Sequence, residues 1–334
     1  MALTAAAGDV APDFLDLLLA PLAPLLAREG LTDLYVNRPG EVWVEMLGGA
    51  IERLSVPDLT AEWLWRLARQ VARASGQAIS RSSPLLGATL PSGARIQIVA
   101  GTATRGDLAL AIRRAAIAAP RLSDYAAAGA FADTGTDWAE ADPDLARLDA
   151  AGDHAGFLAA AVRARKTILV SGGTASGKTT FVNALLAEIA ADERLILIED
   201  TPELVVTQPN VVGLVARRGR MAEADVTPED LLQASLRLRP DRIIMGEVRG
   251  TEAFTFLRAV NTGHPGSITT IHADHPQGAI DQLAFLVLQA GTRLSHADVA
   301  DYVRHVVDVF VHLERRNGQR RVAALLWRDR NGAA

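Results

Sequence analysis

The sequence predicts an α/β chain of two domains: a smaller α+β domain over residues 1–117 and a parallel α/β domain over residues 151–334, joined through residues 118–150. Three observations carry this. The chain has 334 residues, 49% of them hydrophobic and 22% charged, which is more than a single core usually serves. Its first third sets hairpin turns around one amphipathic helix, whereas its second half alternates buried-type strands with helices, the pattern of a parallel sheet. Between the two, residues 118–150 are rich in Ala, Asp, Gly and Thr, include Pro120 and Pro143, and hold no sustained apolar period.

The elements follow in order. Phe14, Leu15, Leu18, Leu22 and Leu25 stand near helical spacing, which predicts a helix within residues 1–29. LTDLYVNRPGEVWVEM reads as two strands about the turn Asn37-Arg38-Pro39-Gly40, because proline and glycine punctuate two β-type runs. LTAEWLWRLARQVARASG places Leu64, Leu67, Ala68 and Val71 on one helical face and Gly76 near the end, as a helix stop requires. Trp63 and Trp65 on this helix read as core and surface residues. LLGATL and ARIQIVA flank the turn Pro91-Ser92-Gly93, and LALAIRR continues the β pattern.

From residue 151 a helix (AGFLAAAVRAR) leads to the strand TILVS, a glycine loop and the helix TTFVNALLAEIA. RLILIED and VVGLVARR read as strands. Thr227 and Pro228 start a helix as N-cap and first-turn proline. The strand RIIMG, a helix from Thr251, the strand SITTIHA and a helical C-terminal region complete the chain.

Composition excludes several functions. With no cysteine there is no disulfide, no thiol nucleophile and no cysteine-ligated metal. A net charge of -5 argues against coating nucleic acid by bulk charge. The N-terminus lacks a basic stretch, and the apolar run Leu17–Ala27 is broken by Pro21 and Pro24, so neither a signal peptide nor a membrane span is expected. The only lysines are Lys166 and Lys178.

Four motifs carry chemistry. Gly172, Gly173, Thr174, Ala175, Ser176, Gly177, Lys178 and Thr179, followed by Thr180, fit the phosphate-binding loop between a strand and a helix. Its backbone N–H groups converge on phosphates, Lys178 is spaced to reach the β- and γ-phosphates, and the Thr179 hydroxyl to ligate Mg²⁺. A strand ending in Ile198-Glu199-Asp200-Thr201-Pro202-Glu203-Leu204 sets acids where α/β ligands sit. In Leu238-Arg239-Pro240-Asp241-Arg242-Ile243-Ile244-Met245-Gly246-Glu247, Gly246 stands where a magnesium-binding Asp is usual. That leaves Glu247 to orient or deprotonate a water and metal anchoring to Thr179, water and Glu199/Asp200. The fourth motif, GHPGSITTIHAD, ends in His272, placed to sense a γ-phosphate. The spacing of His264, His272 and His275 matches no common zinc pattern.

Together, and in this order, GGTASGKTT, IEDTPEL, LRPDRIIMGEVRG and GHPGSITTIHAD resemble the Walker A, aspartate, Walker B and histidine boxes of the secretion/traffic ATPases. The TPEL form of the aspartate box, with the TDLYVNRPGEVWVE hairpin, is most similar to the type IV secretion branch. The resemblance spans residues 20–325 and implies a RecA-like C-terminal domain, a smaller N-terminal domain and a homo-hexamer that hydrolyses ATP with Mg²⁺. It implies Lys178 and Thr179 at the phosphates, Glu247 as catalytic glutamate, Glu203 as a further catalytic acid in the aspartate box and His272 as sensor. It also implies N-domain arginines near the γ-phosphate, which Arg95 and Arg113 match best, with Arg114 an alternative.

The expected setting is the cytoplasmic face of a bacterial inner membrane, among other secretion-apparatus components, with peripheral membrane contact and no direct nucleic-acid binding indicated. Six arginines, Arg315, Arg316, Arg320, Arg321, Arg328 and Arg330, suit anionic lipid, acidic partners or plain solvation. Alternatives are a type II secretion or pilus ATPase, many of whose members carry a cysteine zinc module absent here; a small-molecule kinase, which needs an acceptor lid; and a non-catalytic scaffold, against which Lys178 and Glu247 argue.

Overall fold

The structure, a computed structural model, describes residues 14–114, 121–127, 129, 142–217 and 223–328. It divides into two compact units: Met1–Gly101 with Gly106–Ala115, and Thr102–Arg105 with Ala116–Ala334. The sequence predicts the first domain over 1–117; the short excursion Thr102–Arg105 belongs to the second unit and turns out to matter at the site.

The first unit begins with α1 (Phe14–Leu19) and α2 (Ala23–Leu26). They replace the single helix expected within residues 1–29, because Pro21 interrupts the helical hydrogen bonding. Strands β1 (Leu31–Val36), β2 (Glu41–Met46), β3 (Ile51–Ser55), β4 (Leu85–Thr89), β5 (Arg95–Ala100) and β6 (Leu108–Arg113) form an antiparallel sheet ordered β3-β2-β1-β6-β5-β4. The edge strand β3 is absent from the sequence reading. Its residues IERLS are mostly exposed, so no buried alternation marks them. Helix α3 (Ala61–Ala74), capped by the Thr60 side chain on the Trp63 N–H, packs Leu64, Leu67, Ala68 and Val71 into the core of this unit. Trp63 and Trp65 pack half-buried at its rim.

The second unit holds α4 (Leu122–Ala127), α5 (Pro143–Ala150), α6 (His154–Arg163), α7 (Lys178–Leu186), α8 (Pro228–Ser235), α9 (Glu252–Asn261), α10 (Pro276–Gln289) and α11 (His296–Val306). Residues 143–150 fall in the expected connection yet form α5, with Asp142 as N-cap, Pro143 in the first turn and Leu145 buried in the core. Strands β7 (Ile168–Gly172), β8 (Leu195–Glu199), β9 (Val211–Val215), β10 (Arg242–Met245), β11 (Ile268–Ile271), β12 (Val309–Arg316) and β13 (Gln319–Trp327) form a sheet ordered β13-β12-β7-β11-β10-β8-β9. All pairs are parallel except β12 with β13. Strands β7, β8, β10 and β11 are buried throughout, as a sheet covered on both faces demands.

The C-terminal region corrects the sequence reading. It is helical only to Val306 and then closes with the β12–β13 hairpin. The turn is Asn317-Gly318, at φ 52° and 80°, the left-handed pair that a two-residue hairpin needs.

At the opposite end of the strands from the site, Arg242, the first residue of β10, is fully buried and its guanidinium is held by Glu193 at 2.6 and 2.8 Å. This ties the starts of β8 and β10 together. Among the described residues no helix is long and apolar enough to cross a membrane.

Candidate active site

Strand β7 ends at Gly172, and the chain must leave the sheet edge there. The loop turns through Ala175 at φ 61° and Gly177 at 95°; the second is open to glycine, while the first is a strained alanine of the kind that clusters at functional sites. Helix α7 then starts at Lys178 with no side chain capping its first turn. Its leading N–H groups therefore point outward unsatisfied by a cap, which is what an anion requires. The Ser176 hydroxyl is buried nearby without a hydrogen-bond partner. Lys178 turns its ammonium back onto the loop, donating to the carbonyl oxygens of Gly172 at 2.8 Å and Gly173 at 3.4 Å. Burial pushes its pKa below the ordinary lysine range, Glu247 pulls it back up and Arg249 lowers it further.

The parallel register brings the other motifs to the same edge. Met245 lies level with Ile198 on β8 and Thr269 on β11, so Glu199, which ends β8, and Glu247 and His272, which follow β10 and β11, come to one edge, at the crevice where α/β sheets bind ligands. A cleft of about 170 Å³ is lined by Thr179, Glu199, Asp200, Glu203, Glu247 and Arg249.

The acids in that cleft differ in employment. Glu199 is almost wholly buried; its Oε1 accepts from the N–H groups of Glu203 at 2.7 Å and Leu204 at 2.8 Å, and its Oε2 pairs with Arg105. It thus fixes the aspartate-box loop. Asp200 and Glu203 remain exposed. Glu247 accepts from Arg249 Nη2 at 2.7 Å, and Arg249 reaches Asp200 at 3.3 Å. A methyl at Gly246 would lie 3.4 Å from Cγ of Glu199. That is ordinary van der Waals contact, so the space at Gly246 does not itself exclude a side chain.

The histidines separate. His272 is exposed just beyond β11, and its strand is laced to the Glu247 segment by Thr270, whose hydroxyl donates to the Gly246 carbonyl at 2.8 Å and whose carbonyl accepts from the Val248 N–H at 2.9 Å. His264 bonds the Pro240 carbonyl at 3.1 Å, and burial lowers its pKa. His275 caps α10 by accepting from the Gly278 N–H.

In the first unit, Arg95 and Arg113 are direct cross-strand partners on β5 and β6, both exposed. Arg113 is also level with the buried Asp33 of β1, so an acid flanks the two arginines in the same cross-strand row. Arg114 is instead tied to the Arg28 carbonyl at 2.9 Å.

Three residues escaped the sequence reading. Arg105 crosses Gly213 of β9 and binds both Glu199 and the Leu204 carbonyl, the latter at 3.1 Å. Asn183 of α7 holds the aspartate-box loop through the Glu203 carbonyl at 3.2 Å and the Val205 N–H at 2.9 Å. Arg249 clamps Glu247. Only Arg249 lay in a quoted motif; the other two act across long sequence separations that no local pattern marks.

Comparison with known proteins agrees with this geometry. Residues 138–321 match the family model described as type II/IV secretion system protein. The type IV secretion system protein VirB11 of Bartonella henselae is 37% identical over 92% of this chain and 91% of its own length. VirB11 of Brucella suis is 40% identical over 94% and 90%. The chain is also similar to the crystal structure of the Brucella suis VirB11 ATPase in complex with sulphate. That match has a TM-score of 0.88 at 38% identity and covers 95% of this chain and 98% of that one.

Proposed function

The chain belongs to the type II/IV secretion system protein family, as a type IV secretion ATPase, and on that premise we propose how its own residues hydrolyse ATP and pass the energy on. The observation that carries the reading is the uncapped, lysine-bearing start of α7 set beside Glu247 on one sheet edge. The type IV reading fits better than the type II or pilus alternative, because the relatives at 37–40% identity are type IV components.

The P-loop amides and Lys178 take the nucleotide's phosphates. For Lys178 this exchanges two backbone carbonyl partners for phosphate oxygens, a charge-assisted and stronger bond. Glu247 orients and deprotonates the attacking water once Arg249 shares its hold with Asp200, and His272 reports the γ-phosphate from the end of β11. The Brucella relative, solved in complex with sulphate, supports tetrahedral oxyanion binding by this fold.

The residues fit Mg²⁺: a threonine hydroxyl and carboxylate oxygens line one cleft, the hard-oxygen set this ion prefers. Thr179 would hold it, with water and Asp200 completing the shell, while Glu199 is already engaged by two N–H groups and Arg105. When bound, the ion neutralises phosphate charge.

Arg95 and Arg113 meet the γ-phosphate when the N-terminal domain closes and lose that anchor after hydrolysis. Six copies arranged in a ring convert this into a stroke that drives conjugative DNA transfer or effector export at the cytoplasmic face of the inner membrane. The test is solution mass with and without nucleotide, alongside steady-state ATP turnover. A nucleotide-supported hexamer that hydrolyses ATP is expected; a monomer with undiminished turnover would contradict the ring.

A further inference from the structure

The C-terminal hairpin sets an arginine over the P-loop. Strand β12 runs parallel to β7 and stays in register with it up to Leu313 opposite Gly172. There β7 ends and the P-loop begins, while β12 continues to Arg316 and returns through Asn317-Gly318. The tip of the hairpin therefore stands beyond the sheet edge, alongside the loop. Arg320 lies against Gly177, the residue that starts α7. A methyl added there would be 2.8 Å from Cδ of Arg320, 3.3 Å from Nε and 3.6 Å from Cζ.

A second, independent feature concerns charge. Arg320 is the direct cross-strand partner of Arg315, and both are exposed. Opposed residues of an antiparallel pair share a face of the sheet and repel when their charges match. Neighbouring Arg321 is neutralised by Glu314. Neither Arg315 nor Arg320 takes part in an ion pair or side-chain hydrogen bond among the described residues. The hairpin thus carries an uncompensated pair of guanidinium groups on the face that reaches the P-loop.

We propose that Arg320 is a phosphate-binding residue of the nucleotide site, supplied by the ATPase unit's own C-terminal hairpin, with Arg315 reinforcing the positive field. This rests on the ATPase reading above and adds to it a ligand contact outside the four motifs. Guanidinium is the cation best matched to phosphate oxygens. Its place beside Gly177 assigns it to the part of the polyphosphate that the loop amides cradle, the α- and β-phosphates. Arg320 therefore serves ADP as well as ATP, unlike an arginine that meets only the γ-phosphate.

The experiment is titration calorimetry of ADP with the full chain and with Arg320→Ala, Arg320→Lys and Arg316→Ala, at low and at high salt. Arg316 pairs with Gln319 and, one residue along from Arg315, faces the other side of the hairpin. Arg320→Ala is expected to weaken ADP by about tenfold, the worth of one charge-assisted bond. Arg320→Lys should recover part of it, Arg316→Ala should match the parent, and the loss should narrow as salt screens the charge. Unchanged affinity in Arg320→Ala, or tighter binding, would overturn the proposal. So would a loss that salt does not alter and lysine does not relieve, which would assign the side chain to the base or to packing. Failure of the parent chain to bind ADP would instead sink the ATPase reading itself.

Discussion

Arg249 donates from Nη2 to Oε2 of Glu247 at 2.7 Å, two residues along the same chain, and its Nη1 stands 3.3 Å from Asp200. One guanidinium therefore bridges the end of β10 to the aspartate box and sets the direction of Glu247, the acid beyond the Walker B strand. The Glu247 hydrogen bond in turn raises the pKa of Arg249 above the ordinary guanidinium range, so the clamp stays charged throughout the working pH range.

Losing that clamp should slow hydrolysis without weakening nucleotide binding. A hydrogen bond between charged groups is worth about 1.5–3 kcal/mol, so Arg249→Ala should lower turnover about tenfold or more while ADP affinity holds. Paired measurements of ATP turnover and ADP titration check this; an ADP affinity that falls with the rate would make Arg249 a binding residue.

Lys178 should give ADP binding an alkaline limit. In the free protein its burial-lowered pKa means the proton leaves below the ordinary lysine range, whereas a phosphate partner keeps it on. As pH rises through the free-state pKa, binding must take up a proton, and affinity then drops by up to about tenfold per pH unit. Lys178→Arg should flatten the decline, because guanidinium keeps its charge. Lys178→Ala should abolish binding or turnover while the fold survives. A parent profile as flat as that of the arginine variant would remove Lys178 from the phosphates.

The N-domain arginines offer a test of domain closure. Arg95→Ala or Arg113→Ala should cost turnover up to roughly 10³-fold, by analogy with arginine fingers, with ADP affinity and oligomer mass preserved. Parent rates in both variants would contradict closure, and loss of the hexamer alone would make them assembly residues.

Acid should loosen the second unit through Glu193. Burial by itself would push this carboxyl up, but hydrogen bonds from Arg242 and then Arg165 hold it below the ordinary carboxylate range. A depressed folded pKa contributes stability that is present above the unfolded value and lost as pH falls through the folded one. Glu193→Gln leaves the fully buried Arg242 charge unpaired, which typically costs about 3–5 kcal/mol. Thermal unfolding against pH should show a lower, flatter acid limb in this variant; an unchanged midpoint would mean that Arg242 finds compensation elsewhere.

Much of this was legible in the residues. Strands β7, β8, β10 and β11 are short, fully buried and mostly apolar or β-branched runs, and each motif sits at the end of one of them, so the parallel sheet and its ligand edge follow from pattern alone. The β12–β13 hairpin was legible too, in Asn317-Gly318, but the amphipathic run of α11 leads straight into VDVFVHLE and masks the change of period. Strand β3 hides because it is an exposed edge. Arg105 at Glu199 and Arg320 at Gly177 follow from topology instead. Each reaches its partner across about 100 residues or more, and no local spacing encodes that meeting.

The central claim is that one sheet edge both holds ATP and hydrolyses it through Glu247. A single-turnover comparison of the parent chain with Glu247→Gln, each preloaded with ATP and Mg²⁺ and measured for bound nucleotide and released phosphate, tests this most directly. The amide keeps the shape and loses the base, so equal ATP occupancy with phosphate release slowed about 10²–10⁴-fold is the expected result. Phosphate release at the parent rate with full occupancy would contradict the assignment, and if Glu203→Gln were then inactive, the base would belong to the aspartate box.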